Sequence, residues 1–157
     1  YLSFFYYLLI ILRGEFGETF ILILIFTCVF SDIGGYVFGK IIRGPKLTKI
    51  SPKKTISGSI GSIIFTVLGT YLFVLLLKKI DQNSISLDFS IMLNIWLILM
   101  SVFSQIGDLL ISYLKRKANV KDTGNLLPGH GGVLDRVDGI MFAIPLGVLT
   151  YFIFGFI

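Results

Sequence analysis

The sequence predicts an all-α, polytopic transmembrane helical protein with about five spans. Three observations predict this. Of 157 residues, 55% are hydrophobic and only 15% are charged, against about 25% charge in an ordinary soluble domain. Mean hydropathy is +0.89. The apolar residues fall in runs of roughly 19 to 23, each long enough at about 1.5 Å per residue to cross a hydrocarbon core about 30 Å thick. Helices are expected because an open sheet edge leaves its backbone groups unpaired in lipid. A water-soluble globule is excluded.

The first expected helix covers residues 1–12 and is cut short, because the chain opens at Tyr1 inside an apolar stretch. The chain therefore reads as the C-terminal part of a longer protein. A second helix follows over 17–40 and a third over 55–77, entered through Pro52 with Ser51, Thr55 or Ser57 available as its cap. A fourth is expected over 89–111 and a fifth over 139–157. No repeat and no Pro/Ser/Gly-rich linker divides the chain, which reads as one domain, 1–157. The only cysteine, Cys28, lies in an apolar run and suits a small core position. One histidine excludes a multi-histidine metal cage.

Charge sets the expected orientation. The connections 13–18 and 78–88 are close to balanced. By contrast, residues 40–54 hold Lys40, Arg43, Lys46, Lys49, Lys53 and Lys54, and residues 112–138 hold Lys115, Arg116, Lys117, Lys121 and Arg136. Two spans separate these loops, so they share one face. The positive-inside bias makes that face cytoplasmic, with eleven of the fourteen basic residues on it. The net charge of +5 then points to anionic headgroups or a nucleotide phosphate, not to nucleic acid.

Two carboxylates interrupt the apolar runs, Asp32 before Gly34-Gly35 and Asp108 after Gly107. A charge at such a depth costs several kcal/mol unless it faces a cavity or a partner. A salt bridge to a loop lysine is the plain alternative to a functional site. The stretch Ser112 to Asp138 adds five basic residues, three carboxylates and the turn Pro128-Gly129-His130-Gly131-Gly132. Glycines let backbone N–H groups converge on an anion, and Lys or Arg add charge, which suits a polyphosphate. Carboxylates beside such a site make sense with a divalent cation, and Mg²⁺ favours one or two carboxylates plus phosphate oxygens. A second anion-site candidate is the loop ending in Lys53, Lys54 and Thr55, where the amides opening the third helix would attract phosphate; ordinary capping is the alternative. Gly58 and Gly61 have the spacing of a helix-packing face.

The loop resembles the signature of phosphatidate cytidylyltransferases, the CDP-diacylglycerol synthases. It carries Ser112, Leu114, Lys115, Arg116, Lys121, Asp122, Gly124, Leu127, Pro128, His130, Gly131, Gly132, Val133, Asp135, Arg136, Val137 and Asp138 at the defined positions. Asp32-x-x-Gly-Tyr-x-x-Gly-Lys, Ser51-Pro52-Lys53-Lys54-Thr55 and Gly107-Asp108-Leu109 resemble further landmarks, so the likeness covers residues 30 to 147. Ser57 and Ile111 depart from it, standing where family members often carry Glu.

The resemblance implies a reaction in which CTP and phosphatidate give CDP-diacylglycerol and pyrophosphate, with Mg²⁺ as cofactor. It implies an integral protein of a bacterial inner membrane, with the site facing the cytoplasm, the lipid bilayer as partner and a homodimer left open. Asp108 and Asp135 are the expected metal ligands, with Asp138, Asp32 and Asp122 behind them. Asp108 is placed at a helix end and Asp135 folds over it from the glycine turn. Lys121, Asp122, His130 and Arg136 are expected in the catalytic group. Lys53, Lys54, Thr55, Lys115, Arg116, Gly131 and Gly132 are expected to hold substrate. A CTP-dependent lipid kinase and an ion transporter using Asp32 and Asp108 are the competing readings.

Overall fold

In the computed structural model the described residues are 2–48, 51, 54–80, 90–120, 123–124, 132 and 134–153, with backbone alone for 134–136. They form four helices, α1 (Leu2–Ile41), α2 (Ile56–Ile80), α3 (Ile91–Lys117) and α4 (Leu134–Ile153). No strand occurs among them; an isolated antiparallel bridge pairs Lys46 with Thr55. The first three helices are long and apolar enough to cross a membrane, and Val137–Ile153 is a shorter apolar helix.

The helices expected at 1–12 and 17–40 both lie within α1, which breaks at Gly17 (φ 79°, ψ 175°), a left-handed conformation that favours glycine. The two arms fold back on each other. Leu2 and Ile25 would be about 34 Å apart on a straight helix, yet both line one apolar cavity of about 290 Å³ with Ile140 and Ile144 of α4. Phe16 and Phe20 flank the turn and pack on Tyr151, at centroid distances of 6.0 and 5.2 Å. The second arm of α1 thus runs antiparallel to α4 and brings Asp32 to the end of the bundle where α4 begins.

Small residues let α1 and α2 approach closely. Gly58, Gly61, Ser62, Thr66 and Thr70 form the buried face of α2. A β-carbon on Gly34 would stand 2.5 Å from the Gly61 carbonyl oxygen, and one on Gly58 would stand 2.7 Å from that of Gly35. Hydroxyls supplement this contact, Thr27 Oγ1 lying 3.1 Å from Thr70 Oγ1, as expected where lipid provides no hydrophobic drive between helices. The packing expected of Gly58 and Gly61 is therefore present. The opposite face of α2, with Ile60, Ile64, Leu68 and Leu72, is exposed, which suits a lipid-facing stripe.

The main core lies where α1, α3 and α4 meet, around Leu24, Trp96, Leu97, Met100, Ala143 and Ile144. Trp96 Nε1 donates to the Gly147 carbonyl at 2.8 Å, fixing the height of α4 on α3. Ser90 caps α3 by accepting from the Leu93 N–H at 3.1 Å.

Candidate active site

The helix expected to stop at 111 continues to Lys117. Nothing between Ser112 and Lys117 breaks a helix, and Lys115, Arg116 and Lys117 in the last turn suit its negative end. The expectation that Asp108 ends a helix is therefore corrected. Asp108 lies inside α3, and Lys115, seven residues on, falls on the same face two turns later. The last helix likewise starts at Leu134 and not at 139, which puts Asp138 within its first turns.

These shifts assemble a charged cluster. Lys54, from the 42–55 connection, forms an ion pair with Asp108 Oδ2. Lys115 Nζ lies 3.7 Å from Asp138 Oδ2. The carboxyl groups of Asp108 and Asp138 are themselves within hydrogen-bond reach of each other, and the Gly139 N–H donates to Asp138 Oδ1 at 2.9 Å. Asp138 is 8% exposed. The Ser104 hydroxyl, one turn before Asp108, is buried with no hydrogen-bond partner among the described residues. Among the described residues no three His, Cys, Asp or Glu side chains converge as a metal cluster.

Next to the cluster is a cavity of about 260 Å³ between α1, the 42–55 connection, the start of α2 and Gln105 of α3. Asp32, Tyr36, Ser51, Lys54, Thr55 and Ser59 also line it. Asp32 is close enough to feel the charges of Asp108, Lys54 and Asp138. Thr55 caps α2, its Oγ1 accepting from the Gly58 N–H at 3.1 Å. The anion site expected at the opening of α2 is largely taken up by the protein. The Ile56 N–H donates to the Pro45 carbonyl at 3.1 Å and the Ser59 N–H to that of Thr55 at 3.1 Å.

Of the expected site residues, the structure brings together Asp108, Asp138, Lys54 and Lys115, with Asp32 and Thr55 on the adjoining cavity. Arg116 is exposed near the end of α3. Gly132 packs on the other end of its loop, where a β-carbon would lie 2.6 Å from Thr123 Oγ1. Lys53, Lys121, Asp122, His130 and Gly131 lie outside the described residues, as do the side chains of Asp135 and Arg136. Sequence reasoning missed Ser59 and Gln105. Their signal was a hydroxyl and an amide inside apolar runs, Gln105 one turn from Ser101 and one turn before Asp108.

A family profile described as "Cytidylyltransferase family" matches residues 1–154. The chain belongs to this family. Among relatives of the cytidylyltransferase family, a protein named phosphatidate cytidylyltransferase from Helicobacter pylori (strain J99) is 44% identical over 141 residues, covering 88% of this chain and 50% of the relative. One of the same name from Staphylococcus haemolyticus is 43% identical over 122 residues, covering 74% of this chain and 42% of the relative. Another, from Brucella suis, is 42% identical over 139 residues, covering 87% and 48%. The chain thus spans about half the length of the curated cytidylyltransferases it matches.

Proposed function

We propose that this chain carries the reaction centre of a phosphatidate cytidylyltransferase, which converts CTP and phosphatidate to CDP-diacylglycerol and pyrophosphate at the cytoplasmic face of a bacterial inner membrane. The observation that carries this reading is the alternation of Lys54, Asp108, Asp138 and Lys115 at one end of a helical bundle, beside a polar cavity. Names borne by the relatives support the substrates, and the grouping of basic residues in two loops supports the orientation.

An oxygen of the phosphatidate phosphate attacks the α-phosphorus of CTP in line. The bond from that phosphorus to the bridging oxygen breaks, and pyrophosphate leaves with the electron pair. The attacking phosphate is already ionised, so no protein nucleophile is required. Repulsion between the two anions and charge on the leaving group are the main obstacles. Lys54 and Lys115 address both, holding phosphate oxygens once these replace their carboxylate partners. The lipid approaches sideways between helices, with its acyl chains left in the bilayer.

The residues fit Mg²⁺. Two interacting carboxylates, with a Ser104 hydroxyl one turn before Asp108 that has no hydrogen-bond partner among the described residues, form an oxygen donor set for a hard cation that keeps further positions for water and phosphate. Asp108 and Asp138 would hold the ion, joined by Asp135 on the sequence reading. Such an ion supplies neutralisation of charge on the triphosphate.

The products test this reading. With phosphatidate, CTP and Mg²⁺, the protein in detergent is expected to release one pyrophosphate per nucleotide joined to lipid, and no CDP. Release of CDP would move the assignment to a lipid kinase.

A further inference from the structure

A chain of side-chain hydrogen bonds crosses the three helices behind the cavity. Ser31 Oγ on α1 lies 2.9 Å from Ser101 Oγ on α3, both buried. Gln105 Nε2 lies 3.3 Å from that Ser101 oxygen and 3.4 Å from the Ser59 carbonyl of α2. The Ser59 hydroxyl meets Gln105 Oε1. Directions follow from the chemistry. A carbonyl can only accept, so the Ser59 carbonyl takes the Gln105 NH₂ group, and Oε1 is left facing the Ser59 hydroxyl. That hydroxyl must then donate its one proton to Gln105. Its lone pairs remain, and Ser59 lines the cavity. Ser59 is thereby fixed as an acceptor there.

A second acceptor, Asp32, lines the same cavity together with the hydroxyls of Tyr36, Ser51, Thr55 and Ser62, and the cationic Lys54 lines it at the side that its ion pair shares with Asp108. A cavity walled by hydroxyls and two acceptors offers hydrogen bonds to O–H and N–H groups, while phosphate suits the side where Lys54 stands. Resting on the function proposed above, we infer that this cavity takes the nucleoside half of the nucleotide, with Ser59 as a specificity-determining acceptor for a sugar hydroxyl or base amino group and Gln105 as the residue that positions it. The triphosphate then extends toward Lys54 and the two aspartates, and the α-phosphorus comes to the edge of the carboxylate pair. None of the four polar side chains in the chain need contact the reacting atoms.

The test is a kinetic split in the purified protein. Ser59→Ala is expected to raise KM for CTP about tenfold, the worth of one lost hydrogen bond, with kcat within about threefold and KM for phosphatidate unchanged. Ser59→Thr, which keeps the hydroxyl, is expected to restore KM, and Gln105→Leu to reproduce the Ser59→Ala effect. A rise in KM for phosphatidate with CTP unaffected would overturn the inference and give the cavity to the lipid headgroup. Equal losses for both substrates, not rescued by Ser59→Thr, would reduce the chain to a clamp between helices. If the wild-type protein transferred no cytidylyl group, the proposed function would fail; calorimetric binding of CTP to wild type and Ser59→Ala would still decide the inference by the presence or absence of the tenfold difference.

Discussion

Asp108→Asn is expected to lower kcat at least about 100-fold in the presence of Mg²⁺, while the protein stays folded. Asparagine is close to aspartate in shape, so the packing of α3 is preserved, but one formal charge is lost between Lys54 and Asp138. If that carboxylate helps to hold a cation that offsets charge on the triphosphate, its removal forfeits about 3 kcal/mol of transition-state stabilisation, a little over two decades in rate. Asp138→Asn is expected to act in the same direction. Because the two carboxylates interact, the double variant should fall well short of the product of the single effects. Steady-state turnover of both singles and the double, alongside thermal melting to confirm folding, checks this. Near-normal turnover in both singles would remove the cluster from the mechanism.

Gly34→Ala is expected to be strongly damaging although it adds only a single methyl group. Its β-carbon would stand 2.5 Å from the Gly61 carbonyl oxygen and 2.5 Å from Phe65 Cβ. Neither is the free end of a flexible side chain, so α1 and α2 must move apart. Overpacking of this kind costs about 1–3 kcal/mol and should lower the melting temperature by roughly 2–12 °C. Activity should fall with it, because α1 carries Asp32 and α2 carries Ser59, and both line one cavity. Gly14→Ala is the control. A β-carbon there meets nothing within 4 Å, and replacing glycine in a helix interior gains up to about 1 kcal/mol, so stability should hold or rise.

Long apolar runs made the helices legible in the sequence, because lipid leaves few ways to satisfy the backbone. The close pairing of α1 with α2 was legible for the same kind of reason. Gly58 and Gly61 are spaced for one face, and lipid makes such faces matter. The reversal at Gly17 was half legible. The polar stretch 13–18 marked a break, but the return of Leu2 to the level of Ile25 depends on packing against α4. The partnership of Asp108 with Asp138 turned on helix ends, the least local feature of a helix. Extending α3 to Lys117 and starting α4 at Leu134 brought Lys115 and Asp138 into register. The network of Ser31, Ser101, Gln105 and Ser59 was not legible, since its members come from three helices and share no sequence pattern. Taken singly, each is a polar residue in an apolar run.

On the proposed function, the cluster of Lys54, Asp108, Asp138 and Lys115 serves transfer of a cytidylyl group to a lipid phosphate. The most direct measurement supplies the protein in detergent with phosphatidate, Mg²⁺ and CTP labelled separately at the α- and γ-phosphates. The α-label is expected to enter a chloroform-soluble product and the γ-label to leave as pyrophosphate, and Asp108→Asn is expected to suppress both. Transfer of γ-label to lipid, or α-label transfer undiminished in Asp108→Asn, would contradict it.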